Sequence, residues 1–150
     1  MITTADKNAS ILLQISTFTQ YFFPLGNYIF PVLIWSMKRK ESEFIDKNGR
    51  SAINFQLSLL VYFVGILLIA LPILLYSIFN NTSFILSNNC NWIAEEFTAG
   101  KITTIVIISV VTLLLFAALK VIEFCLVIYA AVKNSNGEVY KYPLTINFIK

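Results

Sequence analysis

Three long apolar runs dominate the chain, and most polar residues fall between them. The runs extend from about Ile11 to Met37, from about Ala52 to Phe79 and from about Ile102 to Val132. A helix rises about 1.5 Å per residue, and about 20 apolar residues cross a bilayer core, so each run is long enough to span. The pattern predicts an all-α integral membrane protein with about three transmembrane helices in a single membrane domain, 1–150. Helix 1 covers about 11–37, an inner loop 38–51, helix 2 about 52–79, an outer loop 80–101, helix 3 about 102–132 and a tail 133–150. Pro24, Gly26 and Pro31 interrupt the first run, and Gln14, Ser16, Thr17, Thr19 and Gln20 dilute its first half. That helix is therefore predicted to be broken or re-entrant. Asp46-Lys47-Asn48-Gly49 reads as a turn, with Asn48 or Ser51 capping the second helix. In the tail, Tyr140, Tyr142, Leu144, Ile146 and Phe148 alternate with polar residues, which predicts an extended segment lying at the inner interface or under the helices.

Charge then orients the helices. The inner loop and the tail together carry eight basic residues: Lys38, Arg39, Lys40, Lys47, Arg50, Lys133, Lys141 and Lys150. Lys7 and Lys101 are the two assigned to the other side. This bias predicts a multi-pass membrane protein with its N-terminus outside and its C-terminus in the cytoplasm. Trp35 and Trp92 fall near opposite interfaces as aromatic anchors. The composition agrees, with 57% hydrophobic and only 13% charged residues, against about 25% charged in soluble domains. The basic residues flank apolar runs, which argues against nucleic acid as a partner.

Polar side chains inside the runs are the candidate chemistry. A charge at mid-helix costs about 2.5–3.5 kcal/mol on insertion scales, so it faces protein or water. Lys120 and Glu123 are three residues apart, share a face of helix 3 and can pair. Arg50, Asn54, Ser58 and Tyr62 recur every four residues on helix 2, the spacing of a packing face. By depth, Asn27, Tyr62, Lys120 and Glu123 are expected to meet at one level as an intramembrane polar cluster. Its readings are a structural lock between helices, a binding or conduction site, or snorkelling of the charged pair to the interface. Asn54 and Gln56 lie about 200° apart on the helix, so one is expected to meet helix 1 or 3 and the other the tail.

Histidine is absent, the two cysteines are far apart, and there is no Gly-rich phosphate loop. Neither a catalytic set nor a metal or cofactor site is expected. The expected partners are the lipid bilayer and either a protein partner or a second copy.

Four stretches carry a family likeness: Pro31-Val32-Leu33-Ile34-Trp35, Asn48-Gly49-Arg50, Ala52-Ile53-Asn54-Phe55-Gln56-Leu57-Ser58 and Gly137-Glu138-Val139-Tyr140-Lys141-Tyr142-Pro143-Leu144. They resemble the small bacterial membrane proteins called Tic-twenty-like, a group of unknown function. Asn48 stands where that pattern has His, and Arg50 where it has Lys. The resemblance implies a helical inner-membrane protein and marks Trp35, Arg50, Asn54, Gln56, Ser58, Gly137, Glu138, Tyr142 and Pro143 as motif positions without an assigned role. The leading expectation is a non-enzymatic accessory or scaffold subunit of a membrane assembly. The alternative is a transport or protein-translocation component that forms a path as an oligomer.

Overall fold

The computed structural model describes residues 2–79 and 101–149, and every described element is helical. Helix α1 spans Thr4–Ile15 and continues as a 3-10 turn over Ser16–Tyr21; α2 spans Gly26–Lys38, α3 Glu43–Phe79 and α4 Lys101–Ser135. The expected outer loop lies almost wholly outside the described residues, and Trp92 and Cys90 lie there with it.

Thr3 starts α1 with a capping box. Its backbone N–H donates to Asp6 Oδ2 at 2.9 Å, and Asp6 N–H donates to Thr3 Oγ1 at 3.2 Å. The helix tightens where hydroxyls reach back three residues: Ser16 to Leu13 O at 2.7 Å, Thr17 to Gln14 O at 2.8 Å and Thr19 to Ser16 O at 2.6 Å. Leu25 then takes a left-handed conformation, φ 64°, just before α2. A Cβ on Gly26 would lie 2.7 Å from Thr19 Oγ1, so only glycine lets the two arms close here.

The first apolar run is therefore a helical hairpin. Its second arm has 13 residues, about 20 Å at 1.5 Å each, which is short of a core about 30 Å thick. Thr3 and Asp6 return to the level of Glu41–Phe44, with which they line one cavity. Residues 2–6 and the 39–42 turn thus share one end of the hairpin, which departs from the expected placement of these segments on opposite sides. Two helices, α3 and α4, remain long and apolar enough to cross a membrane.

The predicted turn at Asp46–Gly49 is helical, because α3 begins at Glu43. Glu43 and Asp46 fall in its first turn, where carboxylates suit the helix dipole. Gly49 serves packing here: a Cβ would overlap Trp35 Cδ1 and lie 2.8 Å from Cγ. Trp35 Nε1 donates to Asp46 Oδ1 at 2.9 Å, and the Arg39 guanidinium stacks 4.9 Å from its ring centre.

The described residues form two compact units. The first holds the hairpin, α3 to Val61, α4 from Lys120 and the tail. It contains the buried polar groups Ser10, Gln14, Asn27, Asn48, Asn54, Gln56, Ser58, Glu123 and Asn134 beside apolar Leu13, Phe55 and Val127. Exposed positions are rich in Leu, Ile, Val and Phe. Apolar outside and polar inside is the distribution that suits lipid contact. The second unit, Tyr62–Leu119, includes a stacked Phe63–Phe116 pair with ring centres 5.1 Å apart.

Gly137 ends α4. It sits at φ 80°, and Glu138 N–H donates to Lys133 O at 3.0 Å while Gly137 N–H donates to Asn134 O at 3.0 Å. This is a Schellman cap, and it turns the chain into the tail. No strand forms among the described residues, and the tail follows an irregular path with a turn at Pro143–Leu144 where its alternation predicts an extended segment.

Candidate functional site

The buried polar groups of the first unit join segments that are distant in sequence. Three sets of contacts account for most of them.

The first is a ring of three side chains. Lys120 Nζ donates to Glu123 Oε2 at 2.8 Å and to Gln20 Oε1 at 2.7 Å, while Gln20 Nε2 donates to Glu123 Oε1 at 2.9 Å. Glu123 is 1% exposed, whereas the Lys120 side chain is 40% exposed. The carboxylate is thus held inside by two donors, and the ammonium reaches toward the surface. Gln20 belongs to the 3-10 turn, so the ring pins the tip of the hairpin to α4.

The second set joins α2 to α3. Asn27 Nδ2 donates to Gln56 Oε1 at 2.9 Å, and Tyr28 OH reaches Gln56 O at 3.4 Å. The third fixes the tail along α3. Asn48 Oδ1 accepts from Tyr140 N–H at 3.1 Å, and Ser58 Oγ accepts from Ile146 N–H at 2.8 Å. Asn54 Oδ1 accepts from Phe148 and Ile149 N–H at 3.2 and 2.8 Å, while its Nδ2 donates to Ile149 O at 2.9 Å. Side chains of α3 therefore do for the tail backbone what a neighbouring strand would do. Tyr142 stacks on Phe55 with ring centres 4.2 Å apart and donates its hydroxyl to Gln14 Oε1 at 2.6 Å. Burial pushes the Tyr142 phenol well above its ordinary pKa, so it stays a neutral donor.

Of the four residues expected at one level, two are joined directly. Lys120 and Glu123 meet as a pair. Asn27 binds Gln56, and Tyr62 falls in the second unit. Among the motif positions, Asn54 and Ser58 hold the tail, Gln56 meets α2, and Trp35 packs on Gly49. Arg50 Nη2 pairs with Asp46 at 2.7 Å, and Glu138 pairs with Lys133 at 2.6 Å. Pro143 precedes Leu144, which is left-handed at φ 58°, where the tail bends.

Gln14, Gln20, Ser10 and Asn48 were not among the expected cluster. Ser10, Gln14 and Thr17 do recur at i, i+4 and i+7, the spacing of one helix face. That periodicity was the available signal. Gln14 Nε2, Gln56 Nε2, Ser10 Oγ and Asn134 Oδ1 are buried without a hydrogen-bond partner. Among the described residues, no three His, Cys, Asp or Glu side chains gather as metal ligands.

Residues 5–149 match the family model described as the magnetosome magnetite crystal formation protein family, MamF/MmsF. The chain belongs to this family. The match replaces the Tic-twenty-like resemblance. The motifs that suggested it, Trp35 on Gly49 and the tail on Asn54, are packing devices of a small membrane fold, and such devices do not separate one family of this kind from another. The MamF/MmsF assignment and the two long apolar helices make this a membrane protein. Comparisons with curated proteins and with solved structures each found no match.

Proposed function

We propose that the protein is a non-enzymatic scaffold or accessory subunit of the magnetosome membrane that acts in magnetite crystal formation. The observation that carries this reading is how the interior polar groups are used. Gln20, Lys120 and Glu123 satisfy one another, and Asn54 and Ser58 are taken up by the tail. A path between chains would need such groups to face water. Instead they tie one chain together and leave apolar surface for lipid and for other membrane proteins. In a magnetite-forming host, loss of the gene should change crystal size or shape while total cell iron stays at the parental level. Cross-linking in isolated magnetosome membranes should capture a stoichiometric partner or a second copy. Unaltered crystals together with an isolated monomer would overturn the reading, and a fall in compartment iron uptake would favour transport instead.

The hairpin supports a topology in which residues 2–6, the 39–42 turn and the tail all face the cytoplasm. Of the 11 basic residues, this arrangement leaves Lys101 alone on the opposite side and Lys120 in the buried ring, with the other nine inside. It satisfies the positive-inside bias better than three full spans do. In a background with both native cysteines replaced, Thr3→Cys and Ser42→Cys should resist an impermeant maleimide in intact spheroplasts, and both should label after lysis. Labelling of Thr3→Cys alone in intact spheroplasts would restore a full first span.

A further inference from the structure

A cavity of about 350 Å³ opens between the first turns of α3 and the tail. Its volume lies in the range of small-ligand sites, about 300–1,000 Å³. Lys47, Arg50 and Lys141 line it together with the hydrogen-bonding side chains Ser51, Thr145 and Asn147. Among the described residues, no Asp or Glu lines it. Lys47 and Arg50 hold Glu43 and Asp46 at 2.7 Å, both one turn earlier on α3 and outside the cavity. Lys141 makes no ion pair among the described residues, and its side chain is exposed.

The position along α3 narrows the chemistry. Lys47–Ser51 immediately precede the apolar run that begins at Ala52, so they fall at headgroup depth on the basic, cytoplasmic side. The wall also includes Val139 and Ile149, so cations and polar donors stand beside apolar surface. Basic pockets at this depth bind the head groups of anionic lipids, and Arg meets phosphate oxygens with a fork of N–H donors.

We propose that this cavity binds a phosphate-bearing anion, and that its source is the headgroup of an anionic phospholipid. Three of the six ligating side chains come from α3 and three from the tail, so a bound headgroup bridges the two and holds the tail in place. The inference does not depend on a role in crystal formation.

The full-length protein in an uncharged detergent, at fixed ionic strength, tests it. Phosphatidylglycerol, phosphatidylcholine and inorganic phosphate are added separately, and thermal unfolding is followed alongside native mass spectrometry of retained lipid. Phosphatidylglycerol at about a hundredfold excess over its Kd should raise Tm by roughly 5–10 °C, and phosphatidylcholine should not. Lys141→Gln should at least halve that shift. Lys38→Gln removes the same charge from a lysine paired with Glu41 outside the cavity, and it should keep the full shift. Should Lys141→Gln fail to fold, Lys47→Gln provides the same comparison from an exposed position. An equal shift with inorganic phosphate supports the anion site and assigns free phosphate as the source. Equal shifts with both lipids, or a full shift in the cavity variant, overturn the site.

Discussion

Replacing Glu123 with leucine should lower the thermal midpoint in mild detergent by about 6–12 °C. Glu123 is 1% exposed and accepts from both Lys120 and Gln20, so the change removes the acceptor on which two donors converge. Breaking one side of a buried ion pair costs about 3–5 kcal/mol. Lys120 is 40% exposed and can turn outward, which points to the lower end. Each kcal/mol shifts the midpoint by about 2–4 °C in a chain of this size. Glu123→Gln keeps an acceptor for one donor and should fall between leucine and the parent. Adding Lys120→Leu to Glu123→Leu should recover at least half of the loss, because no ammonium is then stranded beside apolar groups. If the single and double variants both melt with the parent, the ring contributes nothing and the hairpin tip is held some other way.

The ring also shows where one-dimensional reading succeeds. Spacing alone pairs Lys120 with Glu123, since residues three apart on a helix are neighbours. Their third partner, Gln20, lies 100 residues before Lys120. Only the hairpin brings it there, and hairpin closure depends on the approach of Gly26 to Thr19. Pro24 and Gly26 announced a break but not its direction. Depth counted along a straight first run does not give the partner of Asn27. Once the run doubles back, Asn27 meets Gln56. Asp46–Gly49 misled for a different reason. Its residues carry turn propensity, but Trp35 packing on Gly49 and its bond to Asp46 favour continuing the helix.

The polar stripe of α3 is visible as a period of four, and the angle between Asn54 and Gln56 predicts that one of them meets the tail, without saying which. In a membrane protein such a stripe ordinarily implies a neighbouring helix. Here the partner of Asn54 and Ser58 is irregular backbone. Irregular backbone packed against protein needs partners for its N–H and C=O groups, and Asn48, Asn54 and Ser58 supply those bonds. The same residues that would read as a polar lumen are the reason the tail has a fixed path.

Removing Glu138–Lys150 should therefore cost most of the protein's stability. The deletion leaves Asn48, Asn54, Ser58 and Gln14 buried without the tail partners they hold in the intact chain, and it uncovers Phe55. An unsatisfied buried polar group costs about 1–3 kcal/mol. Three of them, at Asn48, Asn54 and Gln14, amount to a large share of the stability of an ordinary domain, about 5–15 kcal/mol, while Ser58 keeps its bond to Asn54 O. The expected result is a sharp fall in detergent-extracted yield and loss of a single peak in size exclusion. Asn54→Leu separates the bonding from the rest of the tail, since it removes three hydrogen bonds and keeps every tail residue. It should release residues 148–149, seen as faster amide exchange there and earlier protease cleavage, while Ile146 stays on Ser58 and Tyr142 stays stacked on Phe55. A truncated protein with parental yield and midpoint would show that the tail merely rests on α3. An Asn54→Leu variant with unchanged exchange would show that side-chain packing, and not the amide, holds it. Release confined to 148–149 would place one anchor of the tail at Asn54, where α3 first turns apolar, with Ser58 holding Ile146 as a second.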